Sequence, residues 1–203
     1  ANPEPAATPK PAPAATPKPT PAATPAATPA LAAAAVAEKG AAAGGSAKAN
    51  QLLEEVKALD KADPARIPKL EEALKLDPEN KEATQQLGFD YFRAGRFADC
   101  AALCDRALKQ TPGDSQLLMI KGSAQFSLGE YKEAIDSCRA SAAADPTNHY
   151  SLYNLALSLE KSGSPEAMAA WRDYLEKAAS DPDQQPLLQD ARLRLDALQK
   201  KGE

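Results

Sequence analysis

The sequence predicts an all-α fold, a solenoid of stacked antiparallel helix hairpins preceded by a proline-rich tail. Three observations predict it. A pattern of residues recurs every 34 positions from Lys81 onward. Within each recurrence, apolar residues fall at helical spacing on both sides of a short glycine turn. Composition also changes sharply along the chain: ten of the eighteen prolines lie in residues 1–30, and all ten aromatic residues lie between Phe89 and Tyr174.

Residues 1–46 read as a disordered Pro/Ala-rich linker. Pro3-Glu4-Pro5-Ala6-Ala7-Thr8-Pro9-Lys10 recurs with small changes at 11–18 and 19–26. Such a segment holds too few apolar side chains to build a core. Proline at this density favours polyproline II, so thirty residues reach on the order of 90 Å at about 3.1 Å each. Leu31 to Ala49 is rich in alanine and glycine, with a partly helical character, and Gly44-Gly45 lies in this flexible stretch. The domain itself is placed at 47–200.

Residues 47–80 read as a degenerate hairpin that caps the stack. Leu53, Ala73-Leu74 and Asp77-Pro78 keep the pattern, but no glycine marks the turn, and Pro64 and Pro68 crowd it. The clearest unit is 81–114. Its first helix carries Ala83, Leu87 and Tyr91 on one face; its second carries Cys100, Leu103, Cys104, Ala107 and Leu108. Ala94-Gly95-Arg96 supplies the turn, and Pro112 ends the unit. The next unit, 115–148, repeats Gly122, Gly129, Tyr131, Ala134 and Pro146 at the same offsets. Lys121, Gln125 and Ser141 stand where apolar residues are expected. Residues 149–182 form a second degenerate unit, with Leu155-Ala156, Leu159, Gly163, Ala167 and Trp171. Its turn is one residue short, and Pro182 comes late. In 183–200, Leu188, Ala191, Leu195 and Leu198 make a last apolar stripe, with Arg192, Arg194 and Lys200 expected outside. Gly88 and Ala134 are small where the two helices of a hairpin approach. One hairpin cannot bury its apolar face alone, so about three or more must stack.

The order Leu87-Gly88, Tyr91, Gly95, Phe97, Cys100, Ala107, Pro112 resembles the tetratricopeptide repeat. The resemblance covers 81–178 well and 47–80 weakly. It implies a solenoid of about three repeats plus capping helices, of the kind found in bacterial envelope and periplasmic proteins. It also implies a binding scaffold rather than an enzyme.

The chemistry-bearing residues agree with that expectation. Cys100, Cys104 and Cys138 fall where the repeat wants small packing residues, and no second close pair of ligands accompanies them, so no metal site is read. His149 is the only histidine and reads as a helix-start residue. No glycine-rich phosphate loop, haem motif or catalytic constellation is present, so neither a cofactor nor an enzymatic activity is assigned. Net charge is −4 with no basic patch interleaved with aromatics, which argues against nucleic acid. No apolar run is long enough to span a membrane. The chain opens at Ala1 without a signal peptide, which with the Pro/Ala tail points to a mature exported protein of the periplasm or cell envelope; the cytoplasm is the alternative.

The resemblance also implies where a partner would sit: on the inner face of the first helix of each unit. Gln85, Gln86, Phe89 and Arg93 fall there in the first good unit, Met119 and Ile120 in the second, and Tyr150, Tyr153, Asn154 and Leu157 in the third. Phe92, Gln116, Ser123, Phe126, Ser127, Glu160 and Lys161 share the register, although Phe92 and Phe126 also suit packing between helices. Phe89, Met119, Tyr153 and Leu157 would make an apolar strip for a peptide or helix. Asn154, Gln85 and Gln86 would hold a peptide backbone. The basic pair that grips acidic chaperone tails is missing: Gln85 and Phe89, Ile120, then Tyr150 and Asn154 stand at its positions. The expected function is a protein-protein interaction module in a cell-envelope assembly. The alternatives are a self-assembling scaffold, which makes a homo-oligomer possible, and a cytoplasmic chaperone of the type III secretion kind.

Overall fold

Each apolar stripe becomes one helix in the computed structural model, which describes residues 42–202. The helices are α1 (Ala42–Ala58), α2 (Arg66–Leu76), α3 (Lys81–Arg93), α4 (Phe97–Leu108), α5 (Ser115–Leu128), α6 (Tyr131–Ala144), α7 (His149–Lys161), α8 (Ala167–Lys177) and α9 (Gln185–Gly202). A 3-10 turn, Pro182–Gln184, precedes α9. Consecutive helices pack as antiparallel hairpins, and α3 meets α5 and α5 meets α7 across them. The architecture is the all-α solenoid expected. The Pro/Ala-rich segment up to residue 41 lies outside the described residues. α1 starts at Ala42 and includes Gly44-Gly45, within the stretch expected to be partly helical.

Turns and caps explain where the helices stop. Gly95, Gly129 and Gly163 have φ of 73°, 82° and 72°, in the left-handed region that glycine enters without steric cost. At the far end of each hairpin, a short polar side chain accepts a hydrogen bond from the first turn of the next helix. Asn80 accepts from the Ala83 N–H at 2.9 Å, Asp114 from Leu117 at 3.0 Å and Asn148 from Ser151 at 3.3 Å. These caps share the 34-residue spacing of the glycines. Pro68 sits in the first turn of α2, where no backbone N–H is needed, so it does not break the helix.

The core runs along the stack. Leu53, Val56, Leu70, Leu87, Tyr91, Cys104, Leu117 and Ile120 belong to one buried cluster spanning α1 to α5. Leu152, Ala156, Trp171, Tyr174, Leu188 and Ala191 form a second around α7, α8 and α9. The capping hairpin is joined to the first repeat by a buried ion pair. The Arg66 Nε–H donates to Asp90 Oδ2 at 2.9 Å, and a second guanidinium nitrogen donates to the Val56 carbonyl at 2.6 Å. Removing either partner would leave a buried charge uncompensated.

Polar departures in the second repeat are all matched. Lys121 pairs with Asp105 at 2.6 Å, so its charge faces α4 and not the core. The Ser137 hydroxyl donates to Gln125 Oε1 at 2.7 Å. Ser141, fully buried, donates to the Ser115 carbonyl at 2.7 Å and lies 2.6 Å from Ser151 Oγ. Among the described residues no buried side-chain nitrogen or oxygen lacks a partner.

Two sequence expectations need correction. A Cβ on Gly88 would meet Ile120 Cγ2 at 3.1 Å and Cys104 Sγ only at 3.9 Å, so the tight approach there is to the next repeat and not within the hairpin. Arg194 is half-buried, not outside. It bonds Asp190 at 2.6 Å and Glu160 at 3.1 Å, and its guanidinium lies 5.8 Å from the Trp171 ring centre. Arg192 and Lys200 are exposed, and so is Leu193.

The closest approach within a hairpin is at Gly122, where a Cβ would stand 2.5 Å from Cys138 Sγ and 3.4 Å from the Ala134 carbonyl. Gly122→Ala is expected to cost about 1–3 kcal/mol from overpacking, outweighing the roughly 1 kcal/mol that alanine gains in a helix. Gly122→Ala,Cys138→Ala should recover most of it. Chemical denaturation of both variants checks this, and a single variant as stable as wild type would contradict the packing.

Candidate functional site

The inner helices α3, α5 and α7 lie side by side, and their inward side chains line a groove of about 660 Å³. α3 contributes Phe89 and Phe92. α5 contributes Gln116, Met119, Ser123, Phe126 and Ser127. From α7 and its cap come Asn148, Tyr150, Asn154 and Leu157. Six of these eleven side chains are large and apolar or aromatic, and none is charged. The α5 sequence contains a single charge, Lys121, turned away towards Asp105. That leaves the middle of the groove free for apolar groups.

Half of the residues expected at the site line this groove: Phe89, Met119, Tyr150, Asn154 and Leu157. The other half do not. Gln85 turns to the Asp114 carboxylate at 3.4 Å, beside the Lys81–Asp114 ion pair. Gln86 accepts from Arg66 and donates to Glu82, both at 3.3 Å. Arg93 pairs with Asp90. Ile120 is a core residue, 1% exposed, in the helix face that meets Gly88. Tyr153 lies edge-on to Trp171 and Tyr174, with ring centres 5.3 and 5.4 Å away, and its hydroxyl donates to Asp190 Oδ2 at 2.7 Å. It therefore docks α9.

Phe92 and Phe126 serve both surfaces at once. Phe92 meets Phe97 edge-on at 5.3 Å and Phe126 tilts against Tyr131 at 5.5 Å, while both rings also face the groove. Asn148 was missed because it does not lie on a helix face: it caps α7. Its 34-residue spacing from Asp114, itself 34 residues after Asn80, was the available signal.

The groove's polar groups are ordered. The Ser123 hydroxyl donates to the Met119 carbonyl at 2.9 Å, and Asn154 Nδ2 donates to Ser123 Oγ at 2.8 Å. Asn148 Nδ2 donates to Ser115 Oγ at 3.1 Å.

Other reactive groups are occupied in packing. Cys100, Cys104 and Cys138 are buried thiols, and Cys100 donates to the Gly88 carbonyl at 3.2 Å. Burial pushes the Cys138 thiol up to about 12; the neighbouring Cys100, together with burial, pushes Cys104 up as well. Protonated thiols are poor nucleophiles and poor ligands. His149 Nδ1 lies 2.7 Å from Asp181 Oδ2, linking the start of α7 to the turn before α9. Among the described residues no group of three or more His, Cys, Asp or Glu could hold a metal ion, and no helix is long and apolar enough to cross a membrane.

Stacked helix hairpins with a concave inner face define an α-solenoid repeat protein. Residues 86–149 match the family model of the tetratricopeptide repeat. Among solved structures, it is similar to the type III secretion translocator chaperone SycD of Yersinia enterocolitica, with TM-score 0.59 and 21% identity over 62% of this chain and 88% of that one. It is similar to PcrH of Pseudomonas aeruginosa, as crystallised with the chaperone-binding region of PopD, at TM-score 0.59 and 21% identity over 63% and 96%. A MamA RS-1 double mutant gives TM-score 0.61 and 19% identity over 73% and 85%. At these identities the likeness shows the fold. Comparison with curated protein sequences gives no match.

Two carboxylates hold α9 in place, and their titration sets an acid limit. The hydrogen bond to His149, with that from the Asp183 N–H, holds Asp181 below the usual carboxylate range. Burial pushes Asp190 up, but the Tyr153 hydroxyl and the Arg194 guanidinium together hold it low. A carboxyl lowered on folding stabilises the fold above its unfolded value, about pH 4, and loses that contribution as pH falls through the lower folded value. Below about pH 4, Trp171 emission should therefore shift red as α9 loosens, and Asp190→Asn should blunt the transition. An acid limb free of any Trp171 change would remove these carboxylates from α9 docking. At neutral pH, Tyr153→Glu should lower the melting temperature, since it puts a charge between Trp171 and Tyr174.

Proposed function

We propose that the chain is a non-enzymatic protein-protein interaction module that takes an apolar peptide or helix of a partner protein in the concave groove. The observation that carries this reading is the groove between α3, α5 and α7. It offers Phe89, Tyr150 and Leu157 to solvent over a floor that includes the buried Met119, beside uncharged amides and hydroxyls. Apolar pockets with a few placed polar groups, aromatic anchors and an adaptable methionine are the chemistry of peptide-binding surfaces. Proteins of similar fold support it: SycD has been crystallised with a peptide of the translocator YopD, and PcrH with the chaperone-binding regions of PopD and PopB.

The setting we favour is an assembly of the cell envelope, with residues 1–46 as the spacer through which the domain reaches its partner. That proline-dense composition is what supports the spacer role. A cytoplasmic chaperone of the type III secretion kind is the second reading, favoured by the SycD and PcrH likenesses.

Affinity capture with the full chain, from separate envelope and cytosolic extracts, tests both. Wild type is compared with Phe89→Glu,Leu157→Glu. Neither residue belongs to the fully buried core, so this variant should keep its helical circular dichroism. It should lose more than about tenfold in partner binding, because each carboxylate would be desolvated without a counter-ion. A prey held equally by both forms would move binding off the groove. Recovery of the chain alone, with concentration-dependent growth in size, would favour self-assembly. The extract that supplies a groove-dependent prey decides between envelope and cytoplasm.

A further inference from the structure

The chain has five sulfur atoms, in three cysteines and two methionines, and the fold leaves them open to oxidation to very different degrees. Cys100, Cys104 and Cys138 are buried thiols. Cys100 gives its proton to the Gly88 carbonyl, Cys100 and burial together keep Cys104 protonated, and burial keeps Cys138 so. A thiol reacts with peroxide as its thiolate, so these three are protected. A thioether has no proton to lose, and its lone pair is always available. That leaves the methionines. Met168 is half-buried on α8, outside the groove. Met119 belongs to the groove floor. It is 7% exposed, and its Sδ lies 3.7 Å from Oγ of Ser123, another lining residue.

One oxygen atom added there changes what the floor can hold. A thioether sulfur is a weak acceptor, whereas a sulfoxide oxygen is a strong one on a polar side chain. Ser123 has one proton to donate and gives it to the Met119 carbonyl at 2.9 Å. A sulfoxide oxygen must take that proton from the carbonyl or stand open in the groove. The large lining side chains Phe89, Phe126 and Leu157 have no donor to offer it. An apolar ligand would then cover an acceptor without a partner. We propose that Met119 is an oxidation site that switches the groove: a hydroperoxide converts its thioether to the sulfoxide, and the groove then releases apolar ligands. In that step an Sδ lone pair attacks one peroxide oxygen, the O–O bond breaks, the S–O bond forms, and hydrogen peroxide leaves as water. The sulfur loses two electrons and the peroxide gains them. This regulation rests on the groove reading above.

The test separates the two. Short random peptides displayed on phage are selected on the full chain and counter-selected on Phe89→Glu,Leu157→Glu. The best peptide free of methionine and cysteine is synthesised. It is titrated by calorimetry against Met168→Leu, in which Met119 is the sole methionine, before and after treatment with hydrogen peroxide. Mass spectrometry should find one added oxygen on Met119 and none on the cysteines, with the helical circular dichroism kept. Affinity should fall about tenfold, the worth of one acceptor covered without a donor, and the two methionine sulfoxide reductases should restore it. In wild type, bound peptide should slow oxidation of Met119 severalfold and leave that of Met168 unchanged. Met119→Leu,Met168→Leu should show no peroxide response, whatever its own affinity. Three results overturn the inference and leave the groove reading standing: Met119 stays reduced while Met168 of wild type oxidises, oxidised Met119 binds the peptide as before, or the double-leucine variant still loses affinity in peroxide. Loss of helical signal on oxidation would make the change a core lesion and overturns it too. Failure to recover any groove-dependent peptide overturns both.

Discussion

Every hairpin in this domain has an apolar stripe that only the next hairpin can cover, and the rest of the structure follows from that constraint. Leu87 and Tyr91 are buried because α4 and α5 close over them, and Leu152 and Ala156 because α8 and α9 do the same. Stability in such a stack is a sum of nearest-neighbour interfaces, so both ends must stop the series without exposing a fresh stripe. The two ends solve this differently. At the first end, Arg66 reaches Asp90, Gln86 and the Val56 carbonyl, locking α2 onto α3 through one nearly buried guanidinium. At the last, a single long helix lies over Trp171 and Tyr174 and is tied down by three charged or polar links, through Asp181, Asp190 and Arg194.

The second repeat shows how far a unit can depart from the apolar pattern and still stack. Three of its expected apolar positions are Lys121, Gln125 and Ser141. Burying such groups costs free energy unless each finds a partner, and each does, in α4, in α6, and in the Ser115–Ser141–Ser151 set that joins three helices. The same repeat has nearly no charge on its inner helix. Its packing face holds Leu117, Ile120 and Ala124 with the matched Gln125, and its concave face holds Met119 and Phe126 beside Gln116, Ser123 and Ser127, so apolar residues lie on both sides. With most positions of α5 apolar or neutral, no single stripe stands out along it.

Apolar residues on both sides of α5 explain which parts were legible in the sequence. The all-α solenoid was legible because turn glycines and apolar stripes repeat together, and the left-handed glycines at 95, 129 and 163 fall where the period put them. Site residues were harder. Met119 and Ile120 are adjacent, apolar and both near the inner face, yet one lines the groove and the other fills the space beside Gly88. Only the position of the next helix decides between them. Tyr153 fits an inner-face position just as well as Tyr150 does, but α9 covers it, and a capping helix leaves no mark on the repeat it covers. Arg194 was read as solvent-facing because a charge on a stripe's flank usually is; the Glu160 and Asp190 carboxylates on either side of it override that rule.

The ends of the stack also bound the concave surface. At the α7 side, Tyr153 is donated to Asp190, and Glu160 accepts from both Trp171 Nε1 and Arg194. At the α3 side, Gln86 and Asp90 are engaged by Arg66, and Gln85 by Asp114. Inner-face residues on both flanks are thus spent on holding the caps in place. What remains uncommitted is the strip from Phe89 across α5 to Leu157, with Asn154 and Gln116 as its amides. A protein with more repeats could spread a ligand over many such positions. Here the caps leave only the strip across α3, α5 and α7, so affinity must come from a few apolar contacts rather than from length.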